Sequence, residues 1–321
     1  MNQAIKVNRR KLAALGLLTL LVAAGYLCIG VDPRYIAFAF SLRVPRLAVM
    51  LVTAFCIGSA SIVFQSIIQN NIVTPCLLGM NSLYTLIHTV VVFFFGSGSL
   101  IARSPNLAFG VDLVLMGITA TLLYGFIFEK TRHNVLYVLL VGTILTSFFG
   151  SIQSTLTRVM DPNEYDALLA TLVASFSRVN SGILLLAVLL MAAVAFWLRK
   201  DLALLDVITL GKAQAINLGV DYDRTIRRLL LGVTLYIAIA TAMVGPVSFM
   251  GLIVANLARQ LMRTYRHTHL IAAAGLIGMV VLVGGQLLVE RVYSYAVPIS
   301  VFITVGGGIY FLYLLLRQRR A

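Results

Sequence analysis

Acidic side chains are scarce in this chain of 321 residues: there are 11, against 25 lysines and arginines. Charged residues together make up 11% of the chain, where a soluble domain carries about 25%. So little charge excludes a water-exposed globular surface. Hydrophobic residues reach 60% and mean hydropathy is +0.97, the composition of an integral membrane protein. Cysteine is equally sparse. Cys28, Cys56 and Cys76 lie in or beside apolar stretches, with neither metal-ligand spacing nor a disulfide framework. No Gly-x-x-x-x-Gly-Lys-Ser/Thr run is present, which excludes ATP binding through a P-loop in this chain. Carboxylates are also missing from the middle of the apolar runs. Asp112 and Glu290 stand near run ends, and among Asp, Glu, His, Lys and Arg only His88 lies clearly in mid-run. That argues against a carrier energised by its own ion or proton coupling. His88 reads most simply as a histidine hydrogen-bonded to a neighbouring helix.

What the chain does have is apolar runs separated by charged or turn residues. Each crossing needs about 20 apolar residues, so the length allows about ten and leaves little for a soluble domain. The expected spans are about 12–30, 45–66, 78–96, 107–128, 135–157, 181–198, 228–245, 251–262, 270–289 and 299–316. The predicted fold class is therefore all-α, a polytopic membrane protein forming one transmembrane domain over residues 1–321. The eighth span is too short to cross alone and follows Gly245 and Pro246; such broken helices survive only where protein or a cavity satisfies their backbone. The first run follows Lys6, Arg9, Arg10 and Lys11 like a signal peptide. It lacks a small-residue cleavage site, and Leu27 before Cys28 is a poor lipoprotein signal, so a retained first span is expected.

The net charge of +14 would point to nucleic acid in a soluble protein. Here the basic residues lie between apolar runs, where they report topology. With the N-terminus inside, 18 of the 25 fall in inner segments: four at the N-terminus, Lys130 and Arg132, six from Arg199 to Arg228, Arg259, Arg263 and Arg266, and three at the C-terminus. The other seven are Arg34, Arg43, Arg46, Arg103, Arg158, Arg178 and Arg291. This bias places both termini in the cytoplasm.

Three polar constellations interrupt the apolar background. Arg43 and Arg46 flank Pro45 at the outer mouth of the second span. They suit either the carboxylates of an external partner or interfacial anchoring of a helix start, and Arg291 stands at the same face. Gln65, Gln69, Asn70 and Asn71, with Pro75, Gly79 and Asn81, form an uncharged amide-rich stretch between the second and third spans. Such groups line a water-filled path or form an ordinary polar loop. The third constellation is the segment at about 201–226, following a helix expected to end at Arg199 and Lys200. It carries Gly211, Lys212, Ala213, Ala215, Asn217, Leu218, Gly219 and Val220, a short polar helix held between two spans and suited to docking a soluble partner. Asp221 and Asp223 resemble the Asp-x-Asp of a glycosyltransferase, but Arg224, Arg227 and Arg228 beside them favour a solvated charge cluster. Asp161, Glu164 and Asp166 form an outer acidic patch; Asp161 before Pro162 most simply starts a short helix with acids at its positive end.

Taken in order, these pieces resemble the permease subunits of ABC importers for iron–siderophore complexes, haem and vitamin B12. That family carries Arg-x-Pro-Arg before the second span, here Arg43, Pro45 and Arg46. Its Gln…Asn-Pro-Leu-Ala-x-Pro-x-x-Leu-Gly stretch is matched by Gln65, Asn70, Pro75, Leu78 and Gly79. Its Ala-x-x-Leu-Gly-Val segment is matched by Ala215, Leu218, Gly219 and Val220. Its Gly-Pro-x-x-Phe-x-Gly-Leu-x-x-Pro-His-x-x-Arg is matched by Gly245, Pro246, Phe249, Gly251, Leu252 and Arg259. Asn71 replaces the family's proline, and Ala255 and Asn256 replace Pro-His. With the Asp161–Tyr165 region, these departures look like the subgroup serving catecholate siderophores, in which two different permease chains pair.

The resemblance implies a type II importer permease fold with no catalytic residues, metal site or cofactor of its own. ATP and Mg²⁺ would sit on two separate ATPase subunits. The segment from 211 to 220 would couple to those ATPases, with Ala213, Ala215 and Gly219 allowing close approach and Lys212 and Asn217 making polar contacts. Arg43, Arg46 and Arg291 would dock an extracytoplasmic substrate-binding protein. Gln65, Gln69, Asn70, Asn71 and Asn81 would line the path enclosed with a second permease subunit, in a multi-pass protein of the bacterial inner membrane. The expected cargo is a ferric siderophore, with haem or vitamin B12 as the alternative within the family. A polytopic membrane enzyme such as a lipid-linked transferase is the rival outside it, and would need clustered acids or histidines at one membrane face.

Overall fold

In lipid, each backbone N–H and C=O must be satisfied within its own segment, so long apolar runs become helices. A computed structural model gives the fold over residues 2–99, 104–130, 135–174, 176, 181–295 and 297–318. Among these residues there are twelve α-helices, two short 3-10 helices and no strand. The helices are α1 (Asn2–Cys28), α2 (Ile36–Ile68), α3 (Met80–Phe95), α4 (Pro105–Lys130), α5 (Val135–Val159) and α6 (Pro162–Leu172). They continue as α7 (Ser181–Ile208), α8 (Lys212–Asn217), α9 (Tyr222–Val244), α10 (Met250–Met262), α11 (His267–Arg291) and α12 (Ile299–Gln318). Ten of them fall on the ten apolar runs; α6 and α8 are short links. Among the described residues five helices, α1, α2, α7, α9 and α11, are long and apolar enough to cross a bilayer.

The bundle is built around α2. From Leu47 to Ile68 nearly every residue of this helix is buried, against α11, α9, α7 and α10. Its 33 residues give about 50 Å of helix, well beyond the roughly 30 Å hydrocarbon core. The surplus carries Arg43, Pro45 and Arg46 at one end. The close packing of α10 on α2 depends on Gly251, where an added Cβ would lie 2.1 Å from Ser61 Oγ.

Of the ten helices on the apolar runs, two are too short to span. α10 has 13 residues and α3 has 16, about 20 and 24 Å of helix. Chain outside the α-helices supplies the missing length: residues 69–79, which include the 3-10 helix Pro75–Leu78, lead into α3, and residues 245–249 lead into α10, with Gly245 at φ +89° and Phe249 at φ +60°. These two breaks face each other. Asn81 Nδ2 donates to Ser248 Oγ at 3.2 Å, and Cys76 Sγ lies 3.9 Å from the Val247 carbonyl. The Val247 carbonyl in the second break is thus met by protein.

At four places the helices outrun the sequence expectation. α1 starts at Asn2 and α2 at Ile36, α7 passes Arg199 and Lys200 and ends only at Ile208, and α9 starts at Tyr222. Charged residues that looked like a boundary stand on helix ends projecting beyond the apolar slab. Asp201 pairs with Arg228 at 3.8 Å, and the Arg199 guanidinium stacks 4.3 Å from the Phe196 ring centroid. Asp161 behaves as expected, accepting the Asn163 N–H at 2.9 Å as the cap of α6. Of the charge-bias residues, Arg103, Arg132, Arg178, Arg319 and Arg320 lie outside the described residues.

Candidate functional site

Short polar helix α8 is shaped by its caps. Gly211 precedes it at φ +104°, and Gly219 follows at φ +81°. The Gly219 N–H donates to the Ile216 carbonyl (2.9 Å) and the Val220 N–H to the Ala215 carbonyl (3.0 Å), the paired bonds of a Schellman stop. Asp221 then caps α9 by accepting the Arg224 N–H at 3.2 Å. The loop is therefore a rigid mount.

The mount decides which side chains point outward. Ala215 is fully buried and holds α8 to its own chain. Lys212 pairs with Asp223 at 3.0 Å and lies over the Tyr222 ring. Ala213, Asn217 and Leu218 are exposed, as is Gly219, whose missing Cβ would meet nothing within 4 Å; Val220 is half-buried. The largest outward groups are apolar: Leu210, Ile216 and Leu218 are 58%, 52% and 63% exposed. Ile216 and Leu210 escaped the sequence reading because six residues of helix are too few for a periodicity to show.

At the opposite end, the three arginines converge. The Arg43 guanidinium donates to the carbonyls of Tyr26 (2.7 Å), Leu27 (3.2 Å) and Ile29 (3.0 Å), closing the C-terminus of α1, and lies over the Tyr26 ring. Arg291 donates to the same Ile29 carbonyl. Arg46 and Glu290 both stand near the Tyr295 hydroxyl. Glu290 accepts from Tyr26 (3.1 Å) and Gln286 (3.3 Å). Partial burial, then the neighbouring Glu290 carboxylate, push the Tyr295 phenol above its ordinary range. Arg43 is thus half-buried and committed to the fold, while Arg291 remains exposed. Arg43→Ala is expected to lower stability by about 1–3 kcal/mol, read as thermal unfolding of detergent-purified protein, because three carbonyls lose their donor.

The amide-rich stretch closes α2 at the α8 end. Gln69 adopts φ +54° and its N–H donates to the Ser66 carbonyl, while the Asn70 N–H donates to Gln65, again a Schellman stop. Asn70 Oδ1 accepts the Ile72 N–H at 2.9 Å and fixes the next turn. Gln65 Nε2 and Asn256 Nδ2 each donate to the Asn71 carbonyl at 2.8 Å. The two departures from the family pattern are thus neighbours. Arg259 reaches in from α10, donating to Ser66 Oγ (2.8 Å) and towards Gln65 Oε1 (3.4 Å).

A cavity of about 270 Å³ opens here, lined by Gln65, Gln69, Asn71, Arg259, Thr209 and His267 among others. Three of the five expected path residues border it. Asn70 is used by its turn, and Asn81 lies apart at the junction with Ser248. Arg259, Thr209 and His267 were not among the path residues expected from sequence, since they come from distant segments.

His88 is bonded to a neighbouring helix, and its partner is Asp112 of α4, at 2.9 Å and only 4% exposed. Asp112 is therefore not a free group at a helix end but half of a buried pair. Losing one member should destabilise by about 3–5 kcal/mol, whereas an apolar replacement of both is close to neutral. The double variant His88→Phe with Asp112→Leu is expected to keep the unfolding temperature of the detergent-purified protein, while either single change lowers it.

Among the described residues, an all-helical bundle with an apolar-tipped short helix at one end and clustered cations at the other is a polytopic membrane protein with an exposed face at each end. Comparison with known proteins gives the particular case. Residues 17–317 match the FecCD transport family, and the chain belongs to that family. It is 35% identical over 308 residues to the petrobactin import system permease protein YclO of Bacillus subtilis, covering 95% of this chain and 98% of that protein. It is 33% identical to the petrobactin import permease FatC of Bacillus anthracis, over 86% of this chain and 78% of that one. The vitamin B12 import permease BtuC of Vibrio cholerae is 28% identical over 87% of this chain and 82% of its own. The fold matches a solved chain described as an inward-facing metal-chelate type ABC transporter, with TM-score 0.83, 22% identity, and coverage of 96% and 99%.

Proposed function

We propose that this chain is one permease subunit of an ATP-driven importer that carries ferric siderophores of the catecholate class across the cytoplasmic membrane. The observation that carries this reading is the placement of two polar faces at opposite ends of α2. Arg43 and Gln65 are separated by about 33 Å of one helix, close to the thickness of the hydrocarbon core. The α8 end is assigned to the cytoplasm, with both chain termini, from the charge bias. There Leu210, Ile216 and Leu218 fit a groove on an ATPase subunit, with Ala213 and Gly219 allowing approach. ATP and Mg²⁺ are assigned to two such ATPases, and no cofactor to this chain. At the other end, Arg46 and Arg291 offer cations to acidic residues of a substrate-binding protein, where charge orients a docked lobe more than area does. A second, different permease chain would complete the path, lined here by Gln65, Gln69 and Asn71.

Two relatives are named for petrobactin import, so ferric petrobactin is the first chelate to assay. In iron-starved cells, deleting this chain should abolish uptake of radiolabelled ferric petrobactin and leave haem and vitamin B12 uptake unchanged. Loss of vitamin B12 or haem uptake instead would reassign the cargo. Unchanged uptake of every chelate would remove the importer assignment.

A further inference from the structure

The cavity at the α8 end separates two groups of residues that belong to different parts of the reading above. On one side stand the path residues Gln65, Asn71 and Arg259; on the other stands Thr209, two residues before the cap of α8. Two side-chain contacts bridge them. Asp206 Oδ1, on the last turn of α7, accepts both the backbone N–H of His267 at 2.9 Å and its ring Nδ1 at 2.5 Å. Gln69 Nε2 donates to the Thr209 carbonyl at 3.3 Å.

The Asp206 contact is the stronger. Its carboxylate closes the first turn of α11, where free N–H groups and the positive end of the helix dipole both favour an anion. The turn has no side-chain cap from its own N-cap residue, Arg266. The His267 ring is buried, while Asp206 is part-exposed, so the bond joins a fixed group to a peripheral one. From His267, α11 runs along α2 and α1 and beside α10. α8, by contrast, is fixed to its neighbours mainly through the α7 and α9 ends that flank it, and Asp201–Arg228 ties those two ends together. The end of α7 also packs on α2 and α11, with Leu205 and Ile208 buried, so the corner meets α11 through apolar contact as well as the Asp206 clasp, with the cavity beside them.

We propose that Asp206 is a positioning residue which, through His267, transmits movement of the α8 corner to α11 and the mouth of the path. The proposal rests on the importer reading with α8 as the ATPase contact. A packed interface of this kind has discrete arrangements rather than a continuous yield, so one charge-assisted clasp can decide whether the two sides move together. Removing the clasp leaves α8 and its ATPase contact intact. Hydrolysis would then continue without the path responding.

The test uses proteoliposomes holding the full assembly of both permease chains, ATPase and binding protein, with ATP hydrolysed and ferric petrobactin imported measured together. Asp206→Ala is expected to keep hydrolysis within about twofold while import falls at least about tenfold, so ATP consumed per chelate rises about tenfold. Asp206→Asn keeps an oxygen for the His267 N–H and should recover most of the ratio. His267→Ala should raise the ratio as well, and the double variant with Asp206→Ala should be no worse than the more severe single change. A ratio unchanged in both alanine variants would overturn the proposal, as would an Asn variant no better than Ala. If the wild-type assembly imports nothing with ATP, the importer reading fails and this proposal with it; an unchanged ratio in an active assembly sinks the clasp alone.

Discussion

Ile216→Asp should abolish ATP-driven import while the protein remains folded in the membrane. Ile216 is 52% exposed on α8, so the substitution opens no cavity in the bundle and removes no hydrogen bond of the cap. Under the proposed importer reading, the same side chain is an apolar anchor in the ATPase groove. Truncating such an anchor costs about 2–4 kcal/mol of binding, and placing an unpaired carboxylate there costs more. At about 1.4 kcal/mol per decade, import should fall about 100-fold or further. ATPase co-purifying with the tagged permease should be lost in parallel, and thermal stability of the isolated chain should hold. Leu218→Asp should behave alike. Gly219→Arg is a poorer probe, because Gly219 sits at φ +81° inside the Schellman stop and any side chain there strains the mount itself.

A different failure is expected from Gly251→Ala. The added Cβ would lie 2.1 Å from Ser61 Oγ, and the Ser61 Cβ is 3.2 Å away, so the Ser61 side chain or α10 itself must shift. Overpacking of this kind destabilises by about 1–3 kcal/mol. Here α10 also carries Arg259 and Asn256, which hold the end of α2 and the Asn71 turn. A lowered unfolding temperature and reduced yield from the membrane are expected together. Adding Ser61→Ala should recover most of the loss, since Ser61 Oγ is buried without a hydrogen-bond partner and its removal leaves nothing unsatisfied. Failure of that rescue would mean that the close approach of α10 to α2 is not what Gly251 provides.

These two positions mark what a sequence can and cannot disclose. The break before α10 was legible because Gly245 and Pro246 interrupt an apolar run and leave too few residues to cross. The ten apolar runs were legible for the same reason: hydropathy is a local property. The end of α7 was not. Arg199, Lys200 and Asp201 read as a boundary, yet the helix continues for two more turns because its charges find Arg228 and His267 on other elements. Burial of Ala215 was hidden likewise, since an exposed six-residue helix has no apolar face to count. Arg43 offered two readings by sequence, and the geometry adds a structural duty at the end of α1. The pairing of His88 with Asp112 joins residues 24 apart on different helices, and nothing local announces it.

The most direct measurement is import of radiolabelled ferric petrobactin into proteoliposomes containing this chain, its partner permease and the ATPase, with binding protein outside. The account predicts accumulation that requires both ATP and binding protein, disappears with Ile216→Asp, and persists when a protonophore collapses the proton gradient. Accumulation that proceeds without the ATPase and stops with the protonophore would contradict it, and would identify a self-energised carrier.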